Sequence, residues 1–169
     1  MNLRPTFDSS YLKHPARLAD LIAAIQVLGT YKFSSRTEER WLRRLGRKPV
    51  SASTWLEIFK AHPEFFTQDD QGLISLVWRR NKERAYDTHE RRLLSNAEAE
   101  HMEATDPEPT ATRLSRPPLE TDEIAKLIDI AVSLHERGIK HQQERRWWYT
   151  AIIGAIGATG GLVSILLKM

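Results

Sequence analysis

The chain has 169 residues, enough for one modest domain with extensions or for two very small domains. It contains no cysteine, which excludes disulfides, thiolate nucleophiles and cysteine-based zinc sites. Charged residues make up 28% of the chain and the formal net charge is +3 at pH 7, so most of the chain has the polarity of a protein that folds in water.

Two helices are predicted first. Apolar residues recur at the i, i+3, i+4 and i+7 spacing of an amphipathic helix over residues 15–29. Ser35 and Glu38 have the spacing of a capping box, in which each side chain accepts a hydrogen bond from the other residue's backbone N–H. They predict the start of a second helix, which is expected to end at Gly46.

A third helix and a β-hairpin are predicted next. Ser51 or Ser53 is expected to cap the helix, and Pro63 is expected to end it. Residues 65–67 and 73–78 are rich in β-forming side chains and flank the turn sequence Asp-Asp-Gln-Gly, which predicts a hairpin. The periodicity therefore changes from helix to strand directly after the third helix.

Three short helices followed by a hairpin resemble a winged helix-turn-helix domain, over residues 12–82. The resemblance depends on the order and spacing of the elements and not on a family motif. It implies that the third helix and the hairpin would face DNA, as in winged helices that bind it. A small irregular α+β domain is the alternative.

Three tryptophans, one on each predicted element, indicate the core of this domain. Trp41, Trp55 and Trp78 lie on the second helix, the third helix and the hairpin respectively. Large aromatic side chains at such positions are usually buried. The alternative, a platform on which nucleic-acid bases stack, is the weaker interpretation.

Basic residues concentrate on the second helix and after the hairpin. Between residues 36 and 48, six basic residues oppose two acidic ones. A face that binds phosphate or an acidic partner is predicted from Arg36, Arg40, Arg43, Arg44, Arg47, Lys48, Arg79 and Arg80.

The third helix is poorly equipped to read a DNA sequence. It offers Lys60, His62 and hydroxyls as exposed donors, and it has no Arg, Asn or Gln for bidentate contacts with bases. This composition favours an acidic protein partner or simple attraction to phosphate over sequence-specific binding. A solvated basic surface that is drawn to anionic lipid is the third possibility.

The sequence after the hairpin predicts a linker followed by an amphipathic helix. Prolines and a net charge of −6 between residues 93 and 125 predict a flexible acidic linker over 86–120. An apolar stripe predicts an amphipathic stalk helix over 121–146. The predicted fold class is therefore mainly α with a small β-hairpin, beginning with a winged-helix-like domain over residues 1–85.

The C-terminal segment predicts a membrane span. Residues 147–167 contain no charged residue and are long enough to cross a bilayer as a helix. The preceding cations predict a tail-anchored protein of the inner (cytoplasmic) membrane, with its N-terminus in the cytoplasm. The expected interfacial anchors are Arg145, Arg146, Trp147, Trp148 and Tyr149. Self-association into a homo-oligomer is expected through the small residues Gly154, Gly157, Ala158 and Gly161.

No catalytic motif, metal-ligand spacing or cofactor site is found in the sequence, so a non-catalytic protein without a cofactor is expected. Three functions remain open. The first is a membrane-anchored module that recognises a cytoplasmic protein partner. The second is an effector that disrupts the membrane when its domains cluster, and the third is a membrane-tethered regulator that binds nucleic acid.

Overall fold

The computed structural model describes residues 10–105 and 113–166, with side chains up to residue 144. A 3₁₀ turn, Ser10–Leu12, precedes the first helix. The helices are α1 (Arg17–Thr30), α2 (Glu38–Leu45), α3 (Trp55–Ala61), α4 (Val77–Arg80), α5 (Asn96–Thr105) and α6 (Thr121–Leu166). The strands are β1 (Ser35–Arg36), β2 (Phe66–Gln68), β3 (Ile74–Leu76), β4 (Tyr86–Asp87), β5 (Arg92–Leu93) and β6 (Leu114–Ser115).

The predicted hairpin is confirmed. Strands β2 and β3 pair antiparallel, and β1 adds to the other side of β3, so the strand order is β1-β3-β2. The Asp69 carboxylate accepts the backbone N–H groups of Gln71 and Leu73, and Gly72 takes a φ of 77°, which favours glycine. The second predicted strand ends at Leu76 instead of Trp78, because the chain turns there into α4.

The helix ends agree with the sequence better than the helix starts. Gly46 closes α2 in the left-handed conformation, as predicted. The residue that caps α2 is Thr37 and not Ser35, because Ser35 pairs in β1 with a residue of β3. Helix α3 is capped by Thr54, whose hydroxyl accepts the N–H of Glu57, and not by either predicted serine.

The core lies between α1, α2, α3 and the first sheet. Leu21, Ile25 and Leu28 of α1 are completely buried. Trp41 and Trp55 are buried as predicted, and their indole N–H groups donate to the carbonyls of Ile74 and Arg47 at 2.9 and 2.8 Å. Trp78 is partly buried and packs against the same cluster. The tryptophans therefore serve the interior of the domain.

The segment predicted as a flexible linker instead contains a second sheet. Strand β4 pairs antiparallel with both β5 and β6, so the strand order is β5-β4-β6. Asp87 is buried, and one oxygen of its carboxylate accepts hydrogen bonds from both Nε and Nη2 of Arg113, at 2.8 and 2.6 Å. This ion pair joins residues near the two ends of the predicted linker. The proline content and acidic charge of the segment did not predict that contact.

Helix α6 belongs to the same packed unit at its start. Leu127 and Ala131 are buried in the core cluster. Gly29 of α1 lies so close to Ile124 that a Cβ atom there would come within 3.3 Å of its side chain. The backbone N–H of Leu119 donates to the Gly29 carbonyl at 2.9 Å. The start of the predicted stalk therefore packs against the domain, and its helix continues without a break to Leu166.

The coarse fold class is confirmed, since the chain is mainly helical with small antiparallel sheets. The prediction of a tail-anchored, transmembrane protein of the cytoplasmic membrane is wrong by the structure, because no helix among the described residues is both long and apolar enough to cross a bilayer. Between Thr121 and Glu144, α6 carries eight Asp, Glu, Lys or Arg residues, and charges of this kind are expensive in hydrocarbon. Residues 147–167, on which the prediction was placed, lie outside the residues with described side chains.

Arg79 connects the two halves of the described structure. Its side chain is completely buried, and its nitrogens donate to five backbone carbonyl oxygens at 2.7 to 3.2 Å. Burial lowers its pKa to about 10, so the guanidinium stays protonated at neutral pH. The five carbonyls belong to Leu28, Tyr31, Phe33, Arg116 and Pro117.

We expect Arg79→Met to lower the free energy of unfolding by roughly 3–5 kcal/mol, because five buried carbonyls lose their donor. Arg80→Met is the matched control, since the neighbouring side chain is exposed, and it should change stability by no more than about 0.5 kcal/mol. Urea denaturation of both variants measures the difference. Equal stability of the two would contradict the role given to Arg79.

The Asp87–Arg113 pair predicts a loss of stability in acid. The hydrogen bonds from Arg113 lower the pKa of Asp87 from 3.8 to about 2, against the opposing effect of burial. Because the folded-state pKa is depressed, the stabilisation is fully present above about pH 5 and is lost as the pH falls towards 2; it amounts to about 2 kcal/mol. Unfolding measured across this range should show a smaller pH dependence for Asp87→Asn. Asp70→Asn, at an exposed turn residue, should keep the parent curve.

Candidate anion-binding site

Helix α2 carries three of the predicted basic residues on one exposed side. Arg40, Arg43 and Arg44 follow the i, i+3, i+4 spacing of a helical stripe, and all three are exposed. Arg36 precedes the helix in β1, and the exposed Arg47 and Lys48 follow its end at Gly46. Trp41 points the other way, into the core. We call the set Arg36, Arg40, Arg43, Arg44, Arg47 and Lys48 the α2 basic face.

Local interactions hold α2 in place. Glu38 and Glu39 lie in its first turn and Arg43 and Arg44 in its last, an arrangement that complements the helix dipole. The Glu38 carboxylate also accepts the backbone N–H of Leu56 at 3.0 Å. This contact fixes the start of α2 against the start of α3, so the basic face sits on a rigid support.

Two arginines of the face lie over aromatic rings. The guanidinium carbon of Arg36 lies 5.0 Å from the ring centre of Tyr31 and 4.6 Å from that of Phe33. The guanidinium carbon of Arg44 lies 4.5 Å from the Tyr31 ring centre. We call these four residues the arginine–aromatic cluster. The rings hold each guanidinium by a cation–π contact and leave its N–H edge open to a ligand.

The positive charge of the face is largely uncompensated. None of the ion pairs among the described residues includes Arg36, Arg40, Arg43 or Arg44. Burial lowers the pKa of Arg36, and the charges of Arg40, Arg44 and Arg43 lower it further, although Tyr31 opposes them. These side chains therefore already repel one another, and a bound anion would relieve that repulsion.

Arg47 differs from its neighbours. Its Nη2 lies 3.5 Å from the carboxylate of the buried Asp20, so part of its charge is balanced. The other carboxylate oxygen of Asp20 accepts the backbone N–H groups of Val50 and Ser51. Arg47 is consequently held beside Asp20 of α1 and is less available to a ligand than the rest of the face.

Two predicted members of the basic face lie elsewhere. Arg79 was predicted to bind phosphate or a partner, and this is wrong, because its side chain is buried and used by backbone carbonyls. Arg80 is exposed and lies in a second basic region with Arg84 and Arg116. Burial lowers the pKa of Arg116, and the positive charges of Arg80 and Arg84 add to this effect.

Helix α3 and the hairpin turn are not basic surfaces. Helix α3 exposes Lys60 and Glu57, whose charges cancel, and the hairpin turn exposes Asp70. His62 was expected to be an exposed donor, but it is completely buried, with Nδ1 at 3.1 Å from the Glu64 carboxylate. Beside α3 runs an apolar groove of about 270 Å³, lined by Leu56, Phe59, Lys60, Pro63, Phe66, Thr67, Gln68 and Ile74.

The remaining predicted site residues lie outside the described side chains. They are the expected interfacial anchors Arg145, Arg146, Trp147, Trp148 and Tyr149, and the expected packing residues Gly154, Gly157, Ala158 and Gly161. In the described part of the chain, no group of three or more His, Asp or Glu side chains is placed to hold a metal ion.

Sequence reasoning missed the aromatic half of the site. Tyr31 and Phe33 stand five and three residues before Arg36, a spacing that could have drawn attention to them. Comparison with known proteins finds no match to a family model, a curated protein or a solved structure. The chemistry of the site is therefore inferred from its own geometry, which is that of a receptor for anionic groups.

Proposed function

We propose that this chain is a non-catalytic binding protein that recognises an acidic protein partner through the α2 basic face. The observation that supports this most directly is the uncompensated charge of Arg36, just before α2, and of Arg40, Arg43 and Arg44 on the helix. Arginine forks match the two oxygens of a carboxylate, and opposite charges accelerate the encounter of two proteins.

The proposal includes a winged-helix-like arrangement for the N-terminal part. Its support is the element order from α1 to β3, with β1 between the first two helices, and the strand order β1-β3-β2. In a winged helix that binds DNA, the third helix enters the major groove and the wing meets phosphate. Here the exposed charges of α3, Glu57 and Lys60, cancel, and the hairpin turn exposes Asp70, so neither element offers a net positive charge to phosphate. The charge distribution thus favours a protein partner over a DNA sequence.

A solvated surface without a partner fits the arrangement less well. Arginines that merely keep a protein soluble extend freely into water, whereas Arg36 and Arg44 lie over aromatic rings beside other arginines. Holding like charges close together costs free energy. A partner that supplies negative charge would offset this cost when it binds.

We expect the full-length protein to bind a short fluorescein-labelled oligoglutamate peptide, with an affinity that falls as salt is raised. Arg40→Gln/Arg43→Gln should weaken this binding roughly tenfold, since two exposed charge contacts are lost. Fluorescence anisotropy at low and near-physiological salt measures both effects.

The matched control is Arg137→Gln/Lys140→Gln, which removes the same charge from exposed positions of α6. It should bind like the parent chain. If both double variants lose affinity equally, the peptide responds to net charge alone and the α2 basic face is not the site. Tighter binding of a labelled DNA duplex than of the peptide would replace the protein partner with nucleic acid.

A further inference from the structure

The arginine–aromatic cluster has a geometry that the rest of the basic face lacks. The guanidinium groups of Arg36 and Arg44 both lie within 5.0 Å of the centre of one ring, that of Tyr31. The Phe33 ring also lies against Arg36, and the Tyr31 ring meets Trp41 edge-on at 5.9 Å between centres. Two guanidinium groups therefore share one ring, and that ring packs against the core residue Trp41.

We propose that the arginine–aromatic cluster binds the phosphate group of a phosphorylated side chain in the acidic partner. This inference rests on the function proposed above and names the group that the site would select. A phosphate monoester carries a charge of about −1.5 to −2 at pH 7 and presents three strong acceptor oxygens. Two guanidinium groups match both this charge and this number of acceptors, whereas one carboxylate supplies a single charge and two oxygens.

The partly buried setting strengthens the selection. Arg36 is half-buried against the two rings, and burial is the main reason that its pKa is lowered. A cation that is partly removed from water interacts more strongly with an anion than a fully solvated one does. Arg40 and Arg43 are exposed beside the cluster and would contact acidic residues on either side of the phosphorylated one.

A nucleic-acid backbone fits the cluster less well than a phosphorylated segment. The Tyr31 and Phe33 rings already bear guanidinium groups, which compete with unpaired bases for stacking on these rings. A compact phosphate flanked by acidic residues needs only the surface of α2 and the loop before β1.

The test compares three fluorescein-labelled acidic peptides that differ at one central residue: serine, phosphoserine or glutamate. With the full-length protein, we expect the phosphoserine peptide to bind at least about tenfold more tightly than the serine peptide and clearly more tightly than the glutamate peptide. Anisotropy titrations at near-physiological salt give the three affinities.

Charge-conserving variants assign the preference to the cluster. Arg36→Lys/Arg44→Lys keeps both charges but loses the planar forks, so the phosphoserine preference should fall to about that of glutamate. Arg80→Lys/Arg137→Lys changes two exposed arginines outside the α2 basic face and should keep the preference. Arg44→Lys alone, at an exposed position, should lower the preference even if the double variant folds poorly.

Each outcome has one meaning. Equal binding of all three peptides, or a preference that survives Arg36→Lys/Arg44→Lys and Arg44→Lys, would overturn the phosphate site and leave the acidic partner standing. No binding of any peptide would overturn the proposed function as well. Competition by an unlabelled DNA duplex that is stronger than competition by the phosphoserine peptide would assign the cluster to nucleic acid and reject the inference.

Discussion

A single buried guanidinium holds the described structure together. Among the described residues, no ion pair includes Arg79. Its guanidinium is satisfied by five carbonyl oxygens, three at the end of α1 and in the loop that follows, and two just after β6. Helix α4, the end of α1 with the loop that follows it, and the residues after β6 therefore share one electrostatic contact. The buried charge is tolerated because each of the three guanidinium nitrogens donates a hydrogen bond.

The same contact shapes the candidate site on the surface above it. The carbonyls of Tyr31 and Phe33 turn inward to Arg79, while their rings receive the guanidinium groups of Arg36 and Arg44. The loop between α1 and β1 thus binds Arg79 through its backbone carbonyls and contacts Arg36 and Arg44 through its aromatic side chains. The anion-binding geometry that we propose is rigid because the loop that carries it is fixed from below.

Local patterns predicted the elements whose signals lie within a few residues. The hairpin between β2 and β3 and the left-handed Gly46 follow from turn chemistry, and the burial of Trp41 and Trp55 follows from helical periodicity. The linker was predicted from the average composition of residues 86–120, and an average does not show which individual residues in the segment are buried or paired. The segment before α6 is rich in proline and acid, yet buried Leu114 and Leu119 and the Asp87–Arg113 pair hold its end against the domain. The membrane prediction likewise treated the C-terminal part of a long helix in isolation, whereas no described helix could cross a bilayer.

The sequence by itself determined the order of short helices and hairpin, the absence of thiol chemistry and the concentration of arginine on α2, because each of these depends on neighbouring residues or on composition. It could not separate Arg79 from Arg80, which are identical and adjacent. Only the tertiary structure decided that one is completely buried and the other exposed. The reason is physical: an arginine can leave water only where enough acceptors converge on it, and those acceptors come from segments 37 to 51 residues away.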